Sequence, residues 1–538
     1  MKHRAVKRRN VIVGLGATAG VAAIGGFALD AQASGGSGTK ASGSTGSAVA
    51  LTFDKDDYTE VTTTITTDDG DKTVKYHFYK AITYVTKPVD EKYQSLNVSV
   101  PVEIDGKTVD ATDAPILFAN SVGGYMPSSV ADATGVGGAA MTGMPGSAAP
   151  SASASTGTGS GEVDSGGNGQ VDGQGETVSN AKLALAAGYV VVEPGARGRT
   201  LVDSDGVYYG VAPAAIVDLK AAVRYVRANK GVIPGDTDRI VSSGTSAGGA
   251  LSALLGASGD SPLYDSYLAE TGAADASDAI FASGDWCPIT DLEHADMAYE
   301  WNWGSNKLGS GSLVDQTVSK ELRTAFADYQ ASLKLKAKGL GTLTVRNLDE
   351  YLVRTFLEPS ATAYLAALSD TDRTTYLASN TFITWKNGKA TLSWEDFLTH
   401  VGARKKDTPA FDAFDLSAGE NNLFGKGTTE ARHFTLYSLR HEGSSSARLD
   451  SDLPATLKLM NPMPFLAKAN PGRAKHWWIR VGTKDSDTSL TVVGNLAAKL
   501  ENLGDDVDAA MYWDAGHGAN EDAADFIKWI AKVTGYRK

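Results

Sequence analysis

Only one cysteine occurs in the 538 residues. Cys287 therefore has no mate for an internal disulfide and cannot build a thiolate metal cluster; its simplest reading is a small, buried apolar side chain. Long apolar runs are missing too. Past the first 30 residues no 18 successive apolar residues occur, which excludes a membrane-spanning helix from the rest of the chain. Positive charge is scarce, with 50 Lys and Arg against 63 Asp and Glu and a formal charge of -13. A nucleic-acid binder draws its affinity from neutralising phosphates, so that class of partner is disfavoured. Histidines number only eight, few enough for each to be weighed as a catalytic base.

What is present begins with an address. MKHRAVKRRN is basic, VIVGLGATAGVAAIGGFAL is apolar, and AQA offers small residues for cleavage after Ala33. Residues 1–33 read as an export signal, and Arg8-Arg9 gives it a twin-arginine character. The expectation is a secreted or extracytoplasmic protein that engages the export machinery. Residues 34–49, SGGSGTKASGSTGSAV, have too little apolar surface to fold and read as a spacer.

From residue 50 the composition turns to Thr, Val and Tyr. VTTTITTDDG, KTVKYHFYKAITYVTKP and YQSLNVSVPVEIDG predict antiparallel strands, and APILFANSVGGYM predicts an apolar strand ending in a glycine pair. Residues 130–175 are a Gly/Ser-rich low-complexity loop. Helix and strand patterns then alternate through TVSNAKLALAAGYVVVEPGARGR and AAIVDLKAAVRYVRANKGVIPGDTDRIVSSGTSAGGALSALLG. Such alternation predicts an α/β fold with a largely parallel sheet covered on both faces. Residues 302–455 are polar and helical in period, as in KELRTAFADYQASLKLKA and VRNLDEYLVRTFLE, and read as an inserted cap. The sheet pattern occupies 50–301 before that insertion and returns over 456–538.

The chemistry centres on Gly244-Thr245-Ser246-Ala247-Gly248, which follows a strand and opens a helix. Glycines on either side let the chain turn sharply and lift the Ser246 hydroxyl above the sheet. The helix start also aims the Ala247 N–H at a developing oxyanion. Serine needs a base. His517 in YWDAGHGAN lies after an apolar strand and before the final helix, as the chain order serine, acid, histidine requires. His433 and His441 fall in the insertion, His3 and His77 come too early, and His294 and His476 read as ordinary. The acid belongs in WWIRVGTKDSDTS, where Asp485 and Asp487 both qualify. Spacing alone hardly separates them, since residues two apart in an extended strand share a face; one carboxylate is expected to orient the imidazole of His517, leaving the other free for substrate. The NSVGGYM loop is the source of a second oxyanion donor, Gly124 or Tyr125. Arg197 and Arg199 in PGARGR lie at another strand end, with a structural role as well supported as substrate contact.

GTSAGGALSALLG, DWCPITDLEHADMAYEW, GENNLFG, VGTKDSDTS and DAGHG together resemble the bacterial tannases of the α/β-hydrolase class, from about residue 80 to the C-terminus apart from the low-complexity loop. The resemblance implies hydrolysis of galloyl esters by Ser246, Asp485 and His517 under an inserted helical cap. It further implies that Asp487, Lys406 and Glu420 hold the galloyl hydroxyls, with Lys405 adjacent to the second of these. The chemistry suits the substrate, because carboxylates accept phenolic hydrogens and an ammonium donates to oxygen. The expected partner is a small aromatic ester or polyphenol, and the reaction calls for no cofactor and no metal. A feruloyl-type or general carboxylesterase is the alternative, and a serine peptidase on the same framework a more distant one.

Overall fold

A computed structural model describes residues 51–141, 170–171 and 177–537. Residues 1–33, read as an export signal, the 34–49 spacer and most of the 130–175 low-complexity loop lie outside these residues. The central sheet is built from β1 (Thr59–Thr67), β2 (Gly70–Thr83), β3 (Ser95–Ile104), β4 (Pro115–Ala119), β5 (Val190–Pro194), β6 (Asp236–Thr245), β7 (Ala282–Trp286), β8 (His476–Gly482) and β9 (Asp506–Tyr512). Their order across the sheet is β1-β2-β3-β5-β4-β6-β7-β8-β9. The first three neighbours pair antiparallel, and every pairing from β5 to β9 is parallel. The Thr-rich strands at residues 59–83 therefore join the same sheet, although the family likeness was legible only from about residue 80.

Sequence explains the division. PILFA and VVVEP are buried at every position, as strands covered on both faces must be. TEVTTTITT alternates exposed and shielded side chains, as befits an edge strand with one face in water. Helices α1 (Asn180–Ala186), α2 (Ala214–Ala228), α3 (Ala247–Ser258), α4 (Leu292–Trp303), α5 (Gln316–Ser332), α6 (Gly419–Leu423), α7 (Leu490–Asn502) and α8 (Ala523–Thr534) are the ones that bear on the site. Trp286 and Phe526 meet edge to face with centroids 4.7 Å apart, where β7 packs on α8.

Between β7 and β8 the chain is mainly helical, with two short hairpins at 336–342 and 384–391. The expected helix around VRNLDEYLVRTFLE runs from Leu348 to Ala367 and contains a π turn at Val353–Leu357. Pro359 accounts for that turn, since it has no N–H to offer the preceding carbonyls and the local bonding must widen. The start of the low-complexity segment is packed against the fold. Val130, Ala133 and Val136 are buried, and Ser128–Ser129 pairs with Ala140–Met141. Apolar residues spaced among the glycines and alanines supply that packing. Among the described residues no helix is long and apolar enough to cross a membrane.

Candidate active site

Six chain segments leave the C-terminal ends of the parallel strands and converge, as ligand-binding loops do in sheets of this kind. Ser246 follows β6 and precedes α3, with φ 59° and ψ −121°. This strained conformation is held by its N–H, which donates to the Trp286 carbonyl at 3.0 Å. Glycines are obligatory beside it. A Cβ on Gly244 would meet the Gly248 carbonyl oxygen at 2.3 Å, and one on Gly248 would meet the Val122 carbonyl oxygen at 2.6 Å. The helix start and the loop after β4 are thus in close contact.

His517, in the loop after β9, stands between Ser246 and Asp485. Its Nε2 is 2.9 Å from Ser246 Oγ and its Nδ1 is 2.8 Å from Asp485 Oδ2. Asp485 is fully buried. Burial alone would lower the His517 pKa, but the Asp485 charge and hydrogen bond, with Cys287 acting in the same direction, outweigh it and hold the imidazole well above its ordinary value. A turn from Gly482 to Asp485 and a hydrogen bond from the Asp487 N–H to Asp485 Oδ1, 2.9 Å, bend the chain out of the extended form. Both carboxylates consequently lie within electrostatic reach of His517. Burial would raise the Asp487 pKa, yet His517, Lys406 and Lys405 together keep it below the usual carboxylate value.

The lysine pair divides its work. Lys405 Nζ sits 3.1 Å from Asp487, whereas Lys406 Nζ lies 3.7 Å above the Phe411 ring and also bears on Asp487 electrostatically. Glu420 lies in the first turn of α6, and burial of Tyr125, in the loop after β4, together with the Glu420 charge holds the Tyr125 hydroxyl protonated. That loop turns at Gly124 and Tyr125, at φ 53° and 56°, closed by the Met126 N–H donating to the Gly123 carbonyl. Arg199 ties the two together, donating to the Gly124 carbonyl and to Asn422 Oδ1, each at 2.8 Å. Arg197 instead pairs with the buried Asp218. His294 bonds Asp291, and His476 bonds Asp506, both away from Ser246 in the hydrogen-bond network.

Three supporting groups escaped sequence reasoning, as did the neighbourhood of a fourth residue, Cys287. Tyr299 on α4 accepts from the Lys406 N–H at 3.2 Å and donates to the Ser486 carbonyl at 2.8 Å, joining the lysine loop to the acid loop. Glu300, next on the helix, forms a fully buried ion pair with Arg404. Gln170 donates to Thr245 Oγ1 at 2.9 Å and accepts from Asn180 and Asn520, linking the strand before Ser246 to the loop after His517. Cys287 is buried as expected, but its Sγ lies 4.0 Å from His517 Nε2. The only prior signal was the i, i+4 spacing of Tyr299 and Trp303, which both reach the 486–488 backbone.

The BD-FAE family model matches residues 167–327. Esterase LipC of Mycobacterium tuberculosis is 40% identical over 76 residues, 14% of this chain, and the chain spans 19% of that relative. The crystal structure of Fusobacterium nucleatum tannase is similar at 35% identity and a TM-score of 0.72, covering 90% of this chain and 99% of that one. A tannin acyl hydrolase solved in complex with ethyl gallate is similar over the same shares, at 35% identity and a TM-score of 0.72.

Proposed function

This chain belongs to the bacterial tannase family of α/β-hydrolases, which are carboxylic-ester hydrolases, and we propose that it cleaves galloyl or related polyhydroxylated aromatic esters through an acyl-enzyme on Ser246. The observation that carries the reading is the placement of His517 between Ser246 and Asp485, at 2.9 and 2.8 Å. His517 takes the Ser246 proton as Oγ attacks the ester carbonyl, then returns it to the leaving alcohol. Asp485 fixes the tautomer with the proton on Nδ1 and stabilises the imidazolium. The Ala247 N–H, with Gly124 or Tyr125 from the facing turn, receives the oxyanion. Water activated by the same histidine releases the aromatic acid. Asp487, Lys406 and Glu420 select the acid under the inserted cap, and the export signal places the reaction outside the cytoplasm.

Selection follows from a lost partner. Asp487 is ionised and partly shielded, so it accepts from a phenolic hydroxyl at little cost, and an analogue without that hydroxyl forfeits the bond and leaves the carboxylate with Lys405 alone. The test is kcat/KM on methyl gallate, methyl ferulate and a short aliphatic ester, for the parent chain and for Asp487→Ala. We expect a gallate preference in the parent and a fall of about a hundredfold for gallate in the variant, the scale of one hydrogen bond to a charged group. The aliphatic ester should change little. Equal rates on all three esters, indifferent to Asp487, would leave a general carboxylesterase.

The acid limb of the pH profile provides a separate check. Only neutral imidazole can take the Ser246 proton, and His517 is held above its ordinary 6.5. Activity should therefore be lost as pH falls through a value above 6.5, present in full only on the alkaline side of it. A limb at or below 6.5 in kcat/KM would contradict the environment given to His517 by Asp485 and Cys287.

A further inference from the structure

We infer that Cys287 and His517 form a binding site for a soft divalent cation, zinc or cadmium, and that filling it switches the esterase off. The consequence for rate rests on the function proposed above; the binding does not. The reaction makes no use of Cys287, and an apolar filler at that position would not need a thiol. Yet its Sγ lies 4.0 Å from His517 Nε2, and sulfur, imidazole nitrogen and an Asp485 carboxylate oxygen all lie within 4.8 Å of one another. Zinc bonds sulfur at about 2.3 Å and imidazole nitrogen at about 2.0 Å, so one ion spans a 4.0 Å gap at an open angle. Asp485 already occupies Nδ1, which leaves the Nε2 lone pair for the metal. A carboxylate behind a ligating imidazole is the usual support of such a site. Ser246 Oγ, 2.9 Å from the same nitrogen, offers a third donor.

The donor set decides which ion. Thiolate with imidazole suits zinc and cadmium, whereas magnesium and calcium need oxygen ligands. The balance is simple: Cys287 releases its thiol proton to solvent as the sulfur–metal bond forms, His517 contributes a lone pair, and nothing is oxidised. The same lone pair removes the Ser246 proton in catalysis, so coordination and acylation exclude each other.

Calorimetric titration of the full chain with zinc chloride tests the site, alongside Ser246→Ala, Cys287→Ser and Cys287→Ala. We expect one equivalent to bind in the parent and in Ser246→Ala, with affinity at least about tenfold weaker in both cysteine variants. Cadmium should give a thiolate charge-transfer absorption in the parent that both cysteine variants lack. Zinc should suppress methyl gallate hydrolysis over the concentration range in which it binds, reversibly with a chelator. Each cysteine variant, scaled to its own metal-free rate, should need correspondingly more zinc. Equal zinc affinity in parent and cysteine variants, or no binding in the parent, overturns the proposal. Zinc bound through Cys287 in a chain that cleaves no ester would uphold the site and overturn only the esterase function.

Discussion

Ser246→Ala should lower kcat on methyl gallate by about four to six orders of magnitude, while the protein remains folded. The size follows from what alanine removes. Without Oγ no acyl-enzyme forms, and the His517–Asp485 pair has no proton to take from the nucleophile. What remains is the rate that substrate binding and the oxyanion donors give to attack by water, which in triad enzymes is about a thousand- to ten-thousandfold above the uncatalysed reaction. Folding is spared because the substitution deletes one hydroxyl at the rim of the site. The backbone at φ 59° is held by the Trp286 carbonyl and by the glycines around it, not by the side chain. Single-turnover rates with a thermal melt on the same sample check both halves. A fall of less than about a hundredfold would remove Ser246 as the nucleophile.

Arg404→Ala should destabilise the protein by about 3 to 5 kcal/mol, because Glu300 is then left charged and unpaired where no water reaches it. The pair is fully buried, so solvent screening offers no relief. Arg404 Nε also donates to the Lys406 carbonyl at 2.8 Å, so its loss frees the loop carrying Lys405 and Lys406. KM for gallate esters should rise with the drop in stability. The double change Arg404→Ala with Glu300→Ala should recover part of the lost stability, since neither charge is then stranded. Urea unfolding of the three variants measures this. A single-variant loss below about 1 kcal/mol would mean that Glu300 finds another partner or water.

Ser246 and His517 were legible because their neighbours mark the local backbone: small residues around a strand end, and a Gly-flanked histidine before a helix. Their meeting across 271 positions follows once the parallel sheet aligns its strand ends. Choosing between Asp485 and Asp487 was beyond strand periodicity, since residues two apart share a face of a strand, and the turn at Gly482–Asp485 takes the segment out of the strand altogether. The resemblance to tannases supplied Asp485 there. Lys405 and Lys406 were equally close in sequence, and their separate contacts depend on Phe411 and Asp487, which no local pattern announces. Glu300 and Arg404 were invisible for a related reason. A charged residue on a helix reads as solvated until a partner from another loop is brought over it.

The Tyr299 hydroxyl has a consequence for redesign. It joins the Lys406 amide to the Ser486 carbonyl, so the loop bearing Lys405 and Lys406 and the loop bearing Asp485 take their positions from the same anchor. Errors in one are not added to errors in the other. Residues 404–420 cannot then be treated as an exchangeable module. A graft from a homologue chosen for a different aromatic acid must bring a matching residue at position 299, or the new pocket will be correctly shaped and wrongly registered.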